Sequence, residues 1–286
     1  MDVGRRAAVM SVPAVLRGLC DDAAVFPPGS LPLRDAVPAH HRHRRAKYAE
    51  LVGPFVIAAP MLDELDRLPE EAPELIVTAP EGPKQAAEAV ASRAVKAVEV
   101  AVPAGMSVDD FFAECERLTG TTVFVEVPRD ERRPDVIAGL AERGGKAKFR
   151  TGGVRAEMYP DEDELAAAVK AVVDAGVPFK ATAGLHHAVR NTDPDTGFEQ
   201  HGFLNLLLAV DDALDGRPAD ALARTSAERD GAALADRVRK LDEARAADIR
   251  GRFVSFGTCS ITDPLTDLVA LGLLPASVAE SEGDTR

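Results

Sequence analysis

Two segments of the sequence, residues 145–153 (GKAKFRTGG) and residues 177–187 (VPFKATAGLHH), decide both the fold and the candidate site. Each reads as a short strand that ends in glycine. Each also carries a lysine, Lys148 or Lys180, where a buried parallel strand normally carries valine or isoleucine. A lysine buried in this way must be paired, shifted in its pKa or used in chemistry. Two such strands in succession indicate a functional site.

Around these segments, strand-like and helix-like runs alternate along the chain. Apolar runs bounded by proline, such as PFVIAAP at 54–60 and TTVFVEVP at 121–128, are typical of buried parallel strands. Helical segments separate them, including one that opens with Ser107 and Asp110, a variant of the capping box. With a weak strand at 21–26, the pattern predicts eight strands with helices between them. Eight such strands close a single (β/α)8 TIM barrel of the α/β class.

A doubly wound open sheet is the competing architecture. Such a sheet usually carries signature glycines after its first strong strand, and none follow PFVIAAP. We therefore predict one β/α-barrel domain over residues 1–286, with its core at about 11–275. The charged, alanine-rich stretch at about 219–249 predicts a helical insert between the seventh and eighth strands, packed outside the barrel and able to cover its mouth as a lid. The polar tail at 276–286 is expected to be disordered.

Composition and charge restrict the class of partner. The chain of 286 residues is 46% hydrophobic and carries 47 acidic against 34 basic residues, for a net charge of −13. This balance argues against nucleic acid or an anionic membrane as a partner, although a small anionic ligand would respond only to the local field. Three widely spaced cysteines (Cys20, Cys115 and Cys259), no membrane-spanning apolar run and no signal peptide predict a cytoplasmic protein with reduced thiols. A homodimer is a possible assembly.

The alternation of side chains along a strand predicts which residues enter the barrel. Seven polar residues are expected on the inner face: either Asp21 or Asp22, and Glu99, Glu126, Lys148, Arg150, Lys180 and Thr182. Three apolar residues are expected to face the helices: Val100, Phe149 and Ala181. The polar residues lie near the C-terminal ends of their strands, where barrel enzymes have their active sites. A structural ion-pair network is the less favoured alternative, because buried ion pairs rarely stabilise a protein more than apolar packing does.

Taken together, these strands resemble deoxyribose-phosphate aldolase, a class I aldolase on a β/α barrel. Residues 148–152 (KFRTG) have the Lys-x-x-Thr-Gly spacing of that family's Schiff-base strand, and residues 180–184 (KATAG) are similar to its Lys-Ala-Ser-Gly-Gly strand. Residues 99–105 match its Asp-x-x-x-x-x-Gly strand, with glutamate in place of aspartate. Residues 256–260 (FGTCS) are similar to its Phe-Gly-Thr-Ser-Ser, and residues 20–23 (CDDA) to its opening Ile-Asp-His-Thr.

The resemblance implies a class I aldolase-like lyase that needs no cofactor. Lys148 would form a Schiff base with a small, phosphorylated or otherwise anionic carbonyl compound, for reversible cleavage or formation of a C–C bond. Lys180 would be its electrostatic partner, and Glu99 would move protons through a water. An amine attacks a carbonyl only when neutral, and burial beside other cations lowers the pKa of a lysine. We therefore expect Arg150 and Lys180 to lower the pKa of Lys148.

The chain also departs from the family pattern. Arg150 replaces a small residue, Cys259 replaces a serine of the phosphate site, and Ala183 replaces a glycine. These departures bear on the substrate more than on the chemistry. Loops after the last strands of a barrel often bind phosphate through backbone N–H groups, although glycines there can also simply turn the chain. The predicted substrate-binding residues are Asp21, Glu126, Arg150, Thr151, Gly152, Thr182, Gly184, His186, His187, Gly257, Thr258, Cys259 and Ser260.

Two other functions stay open at this point. A metal-dependent lyase or hydrolase on the same barrel would need three convergent ligands, for which the candidates are His186 or His187, His201, Glu126 and Asp21. A barrel that binds an anionic metabolite without turnover is the other. The histidines of the run HHRHRR at 40–45 are spaced around a helix, which favours a solvated helix over a metal site. We predict neither a metal nor a cofactor.

Overall fold

A computed structural model describes residues 12–279, and eight of its strands close a parallel barrel. The ten strands are β1 (Cys20–Asp22), β2 (Val52–Ala58), β3 (Leu75–Ala79), β4 (Ala97–Ala101), β5 (Thr122–Glu126), β6 (Lys146–Arg150), β7 (Phe179–Thr182), β8 (Asn191–Thr192), β9 (Glu199–Gln200) and β10 (Phe253–Thr258). The barrel order is β1-β10-β7-β6-β5-β4-β3-β2, and β8 and β9 form a separate antiparallel hairpin. The predicted TIM barrel is therefore confirmed, and the short β1 closes it by pairing with both β10 and β2.

Helices follow the strands around the outside. They are α1 (Leu33–His43), α2 (Leu62–Leu65), α3 (Pro83–Ser92), α4 (Val108–Cys115), α5 (Arg133–Arg143), α6 (Glu162–Asp174), α7 (Phe203–Leu214), α8 (Ala219–Ala227), α9 (Gly231–Arg239), α10 (Glu243–Arg252) and α11 (Thr262–Ala270). The capping signals operate as predicted. Ser107 accepts a hydrogen bond from the backbone N–H of Asp110 at the start of α4, and α5 ends at the left-handed Gly144.

The apolar residues form an outer and an inner layer. The outer layer lies between strands and helices and contains Val100, Phe149 and Ala181, as predicted. The inner layer, which we call the apolar plug, lies inside the barrel. Its buried members are Ala23, Val56, Ile76, Ala97 and Phe124. Because side chains alternate along a strand, the inner positions that follow Ala97 and Phe124 are Glu99 and Glu126.

The solvated-helix interpretation of the run at 40–45 is wrong for its first histidine. His40, on α1, is 2% exposed and its Nδ1 lies 2.9 Å from Oδ2 of Asp22 at the end of β1. The ring also packs edge-on against Phe55. Because charged residues surround His40 in the sequence, the pattern did not indicate that it lies on the face of α1 that packs against the barrel.

The insert forms helices that pack against other outer helices, and its role as a lid stays a prediction. Helix α8 packs against α6 and α7, and α9 and α10 also pack against α7. Arg250 of α10 donates to the carbonyls of Val15 and Arg17, which precede β1 at the N-terminal face of the barrel, opposite the mouth. Leu222 of α8 and Leu234 of α9 are fully or almost fully buried. The insert therefore completes the core around α7.

Parts of two other predictions concern the chain ends. The start of the predicted core at residue 11 and the tail beyond residue 279 lie outside the described residues. Within the described part of the tail, Ala276–Val278 form a short 3-10 helix in which Val278 is buried. Across residues 12–279, none of the helices combines the length and the apolarity that crossing a bilayer requires.

Candidate active site

Two buried lysines share one carboxylate at the centre of the barrel. Lys148 of β6 and Lys180 of β7 lie directly opposite each other in the strand register. The Nζ of Lys148 lies 2.8 Å from Oε2 of Glu99, and the Nζ of Lys180 lies 2.5 Å from Oε1 of the same side chain. Glu99 comes from β4 and is 2% exposed, so it lies between the two ammonium groups without solvent screening.

Further contacts extend this group in both directions. On one side, Lys180 donates to Oδ2 of Asp21 at 2.7 Å, and the hydroxyl of Ser255 donates to the same oxygen at 2.6 Å. On the other side, Lys148 lies 2.8 Å from Oε2 of Glu126. The Nε of Arg150 donates to Oε1 of Glu126 at 3.3 Å. The resulting row of alternating charges, which we call the charge chain, is Arg150–Glu126–Lys148–Glu99–Lys180–Asp21.

The charge chain runs from the mouth into the interior. The side chains of Arg150 and Glu126 are 37% and 24% exposed, that of Lys148 is 5% exposed, and that of Lys180 is fully buried. At the inner end, the ring of Phe124 in the apolar plug lies 5.5 Å from the Nζ of Lys180. A ligand that enters from the mouth therefore meets Arg150 and Glu126 first.

The protonation states follow from these contacts. Burial works against the charge of Glu99, but the neighbouring lysines outweigh it and lower the pKa of Glu99 to about 2. Burial likewise favours neutral lysines, but Glu99 and Glu126 raise the pKa of Lys148 above 10.5, and Asp21 and Glu99 raise the pKa of Lys180. At Asp21, burial prevails over the attraction of Lys180, and the pKa rises.

This result corrects the expected state of Lys148. Arg150 and Lys180 were expected to lower the pKa of Lys148, yet a carboxylate lies between Lys148 and each of these cations. Glu99 and Glu126 each lie 2.8 Å from the Nζ of Lys148, so these two carboxylates make the net electrostatic potential at the amine negative. Lys148 is an ammonium group in the free protein at neutral pH.

The predicted binding residues of β6 and β7 lie at the ends of those strands. Thr151 is buried, and its hydroxyl donates to the carbonyl of Ala183 at 2.6 Å. Thr182 lies in register with both Arg150 and Gly257. Gly152 and Gly184 lie next to each other, since a Cβ built on Gly152 would come within 2.9 Å of the Cα of Gly184.

The residues of β10 have mainly structural contacts. Gly257 lies inside the strand, opposite Asp21 and Thr182, so it does not turn the chain. The hydroxyl of Thr258 donates to the carbonyl of Ser260 at 2.9 Å. The hydroxyl of Ser260 in turn accepts from the backbone N–H of Asp263 at 3.2 Å, within the first turn of α11.

The histidines are distributed among separate partners. The Nδ1 of His186 lies 3.5 Å from Sγ of Cys259, and the Nδ1 of His187 lies 3.1 Å from a carboxylate oxygen of Asp267. His201 is 1% exposed, and its Nε2 donates to the carbonyl of Pro160 at 2.7 Å. Within residues 12–279, no three His, Cys, Asp or Glu side chains are grouped in a way that could hold a metal ion. The arrangement does not favour the metal-dependent alternative.

Sequence reasoning missed three residues that shape the site. Ser255 shares Asp21 with Lys180, and its position two residues before Gly257 on an inward-facing strand could have revealed it. Phe124 could have been found in the same way, because it lies two residues before Glu126. Tyr159 lies in a loop after β6, where strand alternation gives no signal.

Comparisons with known proteins add little to this geometry. No family model matches the chain, and no curated protein matches it. Among solved structures, the chain is similar to an archaeal fructose-1,6-bisphosphate aldolase with its catalytic lysine covalently bound to the carbinolamine intermediate of the substrate. The two are 15% identical, the match covers 75% of this chain and 94% of that chain, and the TM-score is 0.38. So distant a likeness carries no argument about activity, and the resemblance of the sequence segments to deoxyribose-phosphate aldolase stays a prediction.

The pKa of Glu99 makes a testable prediction about acid stability. A carboxyl group whose pKa falls from 4.5 to about 2 on folding stabilises the fold above pH 4.5, and this stabilisation is lost as the pH falls toward 2. The loss amounts to about 3 kcal/mol at ~1.4 kcal/mol per pH unit. We expect the free energy of unfolding of Glu99→Gln to lack this dependence on pH. At neutral pH the variant should be less stable by about 3–5 kcal/mol, because two buried lysines lose the carboxylate they share.

The measurement is the free energy of unfolding by urea as a function of pH. Glu74→Gln is the matched control, because Glu74 forms a 2.8 Å ion pair with Lys96 but is 56% exposed, and its loss should cost less than about 1 kcal/mol. Equal acid sensitivity of wild type and Glu99→Gln would show that Glu99 does not carry the linkage.

Proposed function

We propose that this chain is a lyase of the aldolase type, in which Lys148 forms a Schiff base with a small carbonyl compound. The observation that carries the proposal is the pair of buried lysines bridged by Glu99 at the mouth end of the barrel. Ion pairs that only fill a barrel interior do not have to reach solvent. The charge chain does reach solvent, through Arg150 and Glu126. The order of the five sequence segments that resemble a class I aldolase supports the same chemistry.

The accessibility of the two lysines favours Lys148 as the nucleophile. Lys180 is fully buried between Asp21 and Glu99, with Phe124 beside it. The side chain of Lys148 is 5% exposed and contacts Glu126, a carboxylate that is partly exposed. A carbonyl compound that displaces Glu126 therefore meets the amine of Lys148 before it can reach Lys180.

Displacement of Glu126 also allows Lys148 to lose its proton. Two carboxylates hold the ammonium form in the free protein, and removal of one of them lowers the pKa of Lys148. Glu126 lies 2.8 Å from the Nζ atom and is partly exposed, so it can take the proton before it moves away from Lys148 and then release that proton to water. Neighbouring cations lower the pKa of both Glu99 and Glu126, but both oxygens of Glu99 lie against ammonium groups and its side chain is 2% exposed, so Glu99 cannot pass a proton to water. We therefore assign the proton transfer to Glu126 and not, as the sequence predicted, to Glu99.

The covalent steps follow from the neutral amine. The nitrogen lone pair of Lys148 adds to the carbonyl carbon, and transfer of a proton from nitrogen to oxygen gives a neutral carbinolamine. The carbinolamine hydroxyl takes a proton from solvent and leaves as water, which gives an iminium ion. The iminium ion carries the same positive charge as the ammonium group it replaces, so Glu99 stabilises it without rearrangement. The iminium ion then accepts the electron pair of the Cα–Cβ bond of the substrate. This bond breaks to give an enamine and a second carbonyl compound, while a base takes the proton of the β-hydroxyl group. Protonation of the enamine and hydrolysis then release the first product.

Reductive trapping tests the proposal. Incubation with a small aldehyde or ketone and borohydride should reduce the iminium ion and add a stable mass at Lys148, located by mass spectrometry of intact protein and of peptides. Lys148→Arg keeps the charge but has no usable amine, so the adduct at this position and the turnover should be lost. Lys180→Met should still be labelled, but more slowly. Lys146→Arg is the matched control on the same strand and should label as wild type does.

Two results would count against this assignment. Labelling that survives Lys148→Arg and disappears in Lys180→Met would reverse the roles of the two lysines. Absence of adducts with every carbonyl compound tried would favour a barrel that binds a metabolite without turnover.

The assignment of Glu126 makes a separate prediction about pH. Because carboxylates raise the pKa of Lys148, the rate of labelling in wild type should rise with pH from neutral into the alkaline range. Glu126→Gln removes one of the two carboxylates, so the profile should shift to lower pH by about one unit. The initial rate of adduct formation as a function of pH measures the shift, with Glu74→Gln as the control. An unchanged profile, or one shifted to higher pH, would exclude Glu126 as the group that holds the proton on Lys148.

A further inference from the structure

The mouth of the barrel restricts which carbonyl compound can reach Lys148. We propose that the substrate is a short carbonyl compound without a phosphate group, and that Tyr159 is a specificity-determining residue that excludes phosphate. This inference rests on the Schiff-base function proposed above. It follows from what occupies each place at which a barrel of this kind would bind a phosphate.

The first such place is the pair of glycines that ends β6 and β7. Gly152 and Gly184 approach closely and leave a hollow that no side chain of their own fills. The ring of Tyr159 fills it, since a Cβ on Gly152 would come within 2.6 Å of Tyr159 Cε1, and one on Gly184 within 2.8 Å. The hollow that could have received phosphate oxygens therefore holds an aromatic ring.

Tyr159 is held in place by its surroundings. Its ring packs against Phe198 of the β8–β9 hairpin, with ring centroids 5.6 Å apart. The carbonyl of the next residue, Pro160, accepts the hydrogen bond from buried His201. Arg190 joins the start of α6 to the hairpin by ion pairs to Glu162 at 2.6 Å and to Glu199 at 3.2 Å. Movement of the ring out of the hollow would disturb these contacts.

The second such place is the N-terminus of the helix that follows the seventh barrel strand. A free helix N-terminus binds phosphate through its unpaired N–H groups. In α7 the N–H of Phe203 donates to the carbonyl of His187 at 3.1 Å, and that of Leu204 donates to the carbonyl of Ala188 at 3.0 Å. Carbonyl groups of the loop before α7 therefore already accept hydrogen bonds from the N–H groups that a phosphate would need.

The third such place is the N-terminus of α11, after the last strand. The backbone N–H of Asp263 donates to the hydroxyl of Ser260, and the carboxylate of Asp263 lies in the first turn. An acidic side chain there already provides the negative charge that the helix dipole attracts. It would also repel a phosphate dianion.

The charge chain offers no surplus positive charge either. It contains three cations (Arg150, Lys148 and Lys180) and three carboxylates, and each lysine lies between two of the carboxylates. A phosphate that bound Arg150 would have to compete with Glu126 for it. A short carbonyl compound without phosphate does not have to compete with Glu126 for Arg150.

Matched pairs of carbonyl compounds test the inference. Glyceraldehyde and glyceraldehyde 3-phosphate differ only in the phosphate, and the rate of borohydride-trapped adduct formation at Lys148 is measured for each, with Lys148→Arg as the background. In wild type we expect glyceraldehyde to react faster by about tenfold or more, because like charges oppose entry of the phosphate. Tyr159→Ala empties the hollow and should lower the ratio of the glyceraldehyde rate to the glyceraldehyde 3-phosphate rate. Tyr159→Phe keeps the ring and should leave this ratio unchanged. Tyr159→Leu serves in place of the alanine variant if that variant does not fold.

The outcomes separate the two proposals. Equal or faster labelling of wild type by glyceraldehyde 3-phosphate would overturn this inference and leave the Schiff-base function standing. If no carbonyl compound labels Lys148, the proposed function fails, and the phosphate question is decided by thermal unfolding. Inorganic phosphate should then raise the melting temperature of wild type no more than sodium chloride at the same ionic strength does. A specific rise that is larger in Tyr159→Ala would support exclusion by the ring, whereas an equally large rise in wild type would refute it.

Discussion

The carboxylate of Glu99 is the constraint on which the rest of the site depends. Lys148 and Lys180 are directly opposite each other on neighbouring parallel strands, which lie only about 4.8 Å apart. Two ammonium groups buried at that spacing need a negative charge between them, and Glu99 provides it from β4, across the barrel interior. Asp21 from β1 and Glu126 from β5 then complete the neutralisation. The barrel must close for these five strands to meet, so fold and site depend on each other.

Much of this arrangement could be predicted from period-two alternation alone. Once Lys148 and Lys180 are taken to face inward, Glu99, Glu126 and Asp21 fall on the same side of their own strands, and Phe149 falls on the other. The direction of the pKa of Lys148 could not be predicted in this way. It depends on whether a carboxylate or a cation is nearest to the amine, and that is decided by side-chain positions rather than by strand register.

Other features lay beyond sequence reasoning because they depend on contacts between distant segments. The ring of Tyr159 occupies a hollow made by two glycines from different strands, and no local pattern marks it. His40 was assigned to solvent because charged residues follow it, although its partner Asp22 lies on β1. The charge and the alanine content of the insert do not indicate that its Leu222 is buried in the core around α7. In each case tertiary packing prevailed over local composition.

The central claim is that shared carboxylates keep both buried lysines charged in the free protein. The most direct test is a pH titration of the Cε chemical shifts of Lys148 and Lys180 by carbon-13 NMR, with lysine labelled and the exposed Lys96 as an internal reference. We predict that neither buried lysine titrates below the ordinary lysine pKa of 10.5, because neighbouring carboxylates raise the pKa values of both. A Lys148 or Lys180 signal that titrates near neutral pH would contradict it.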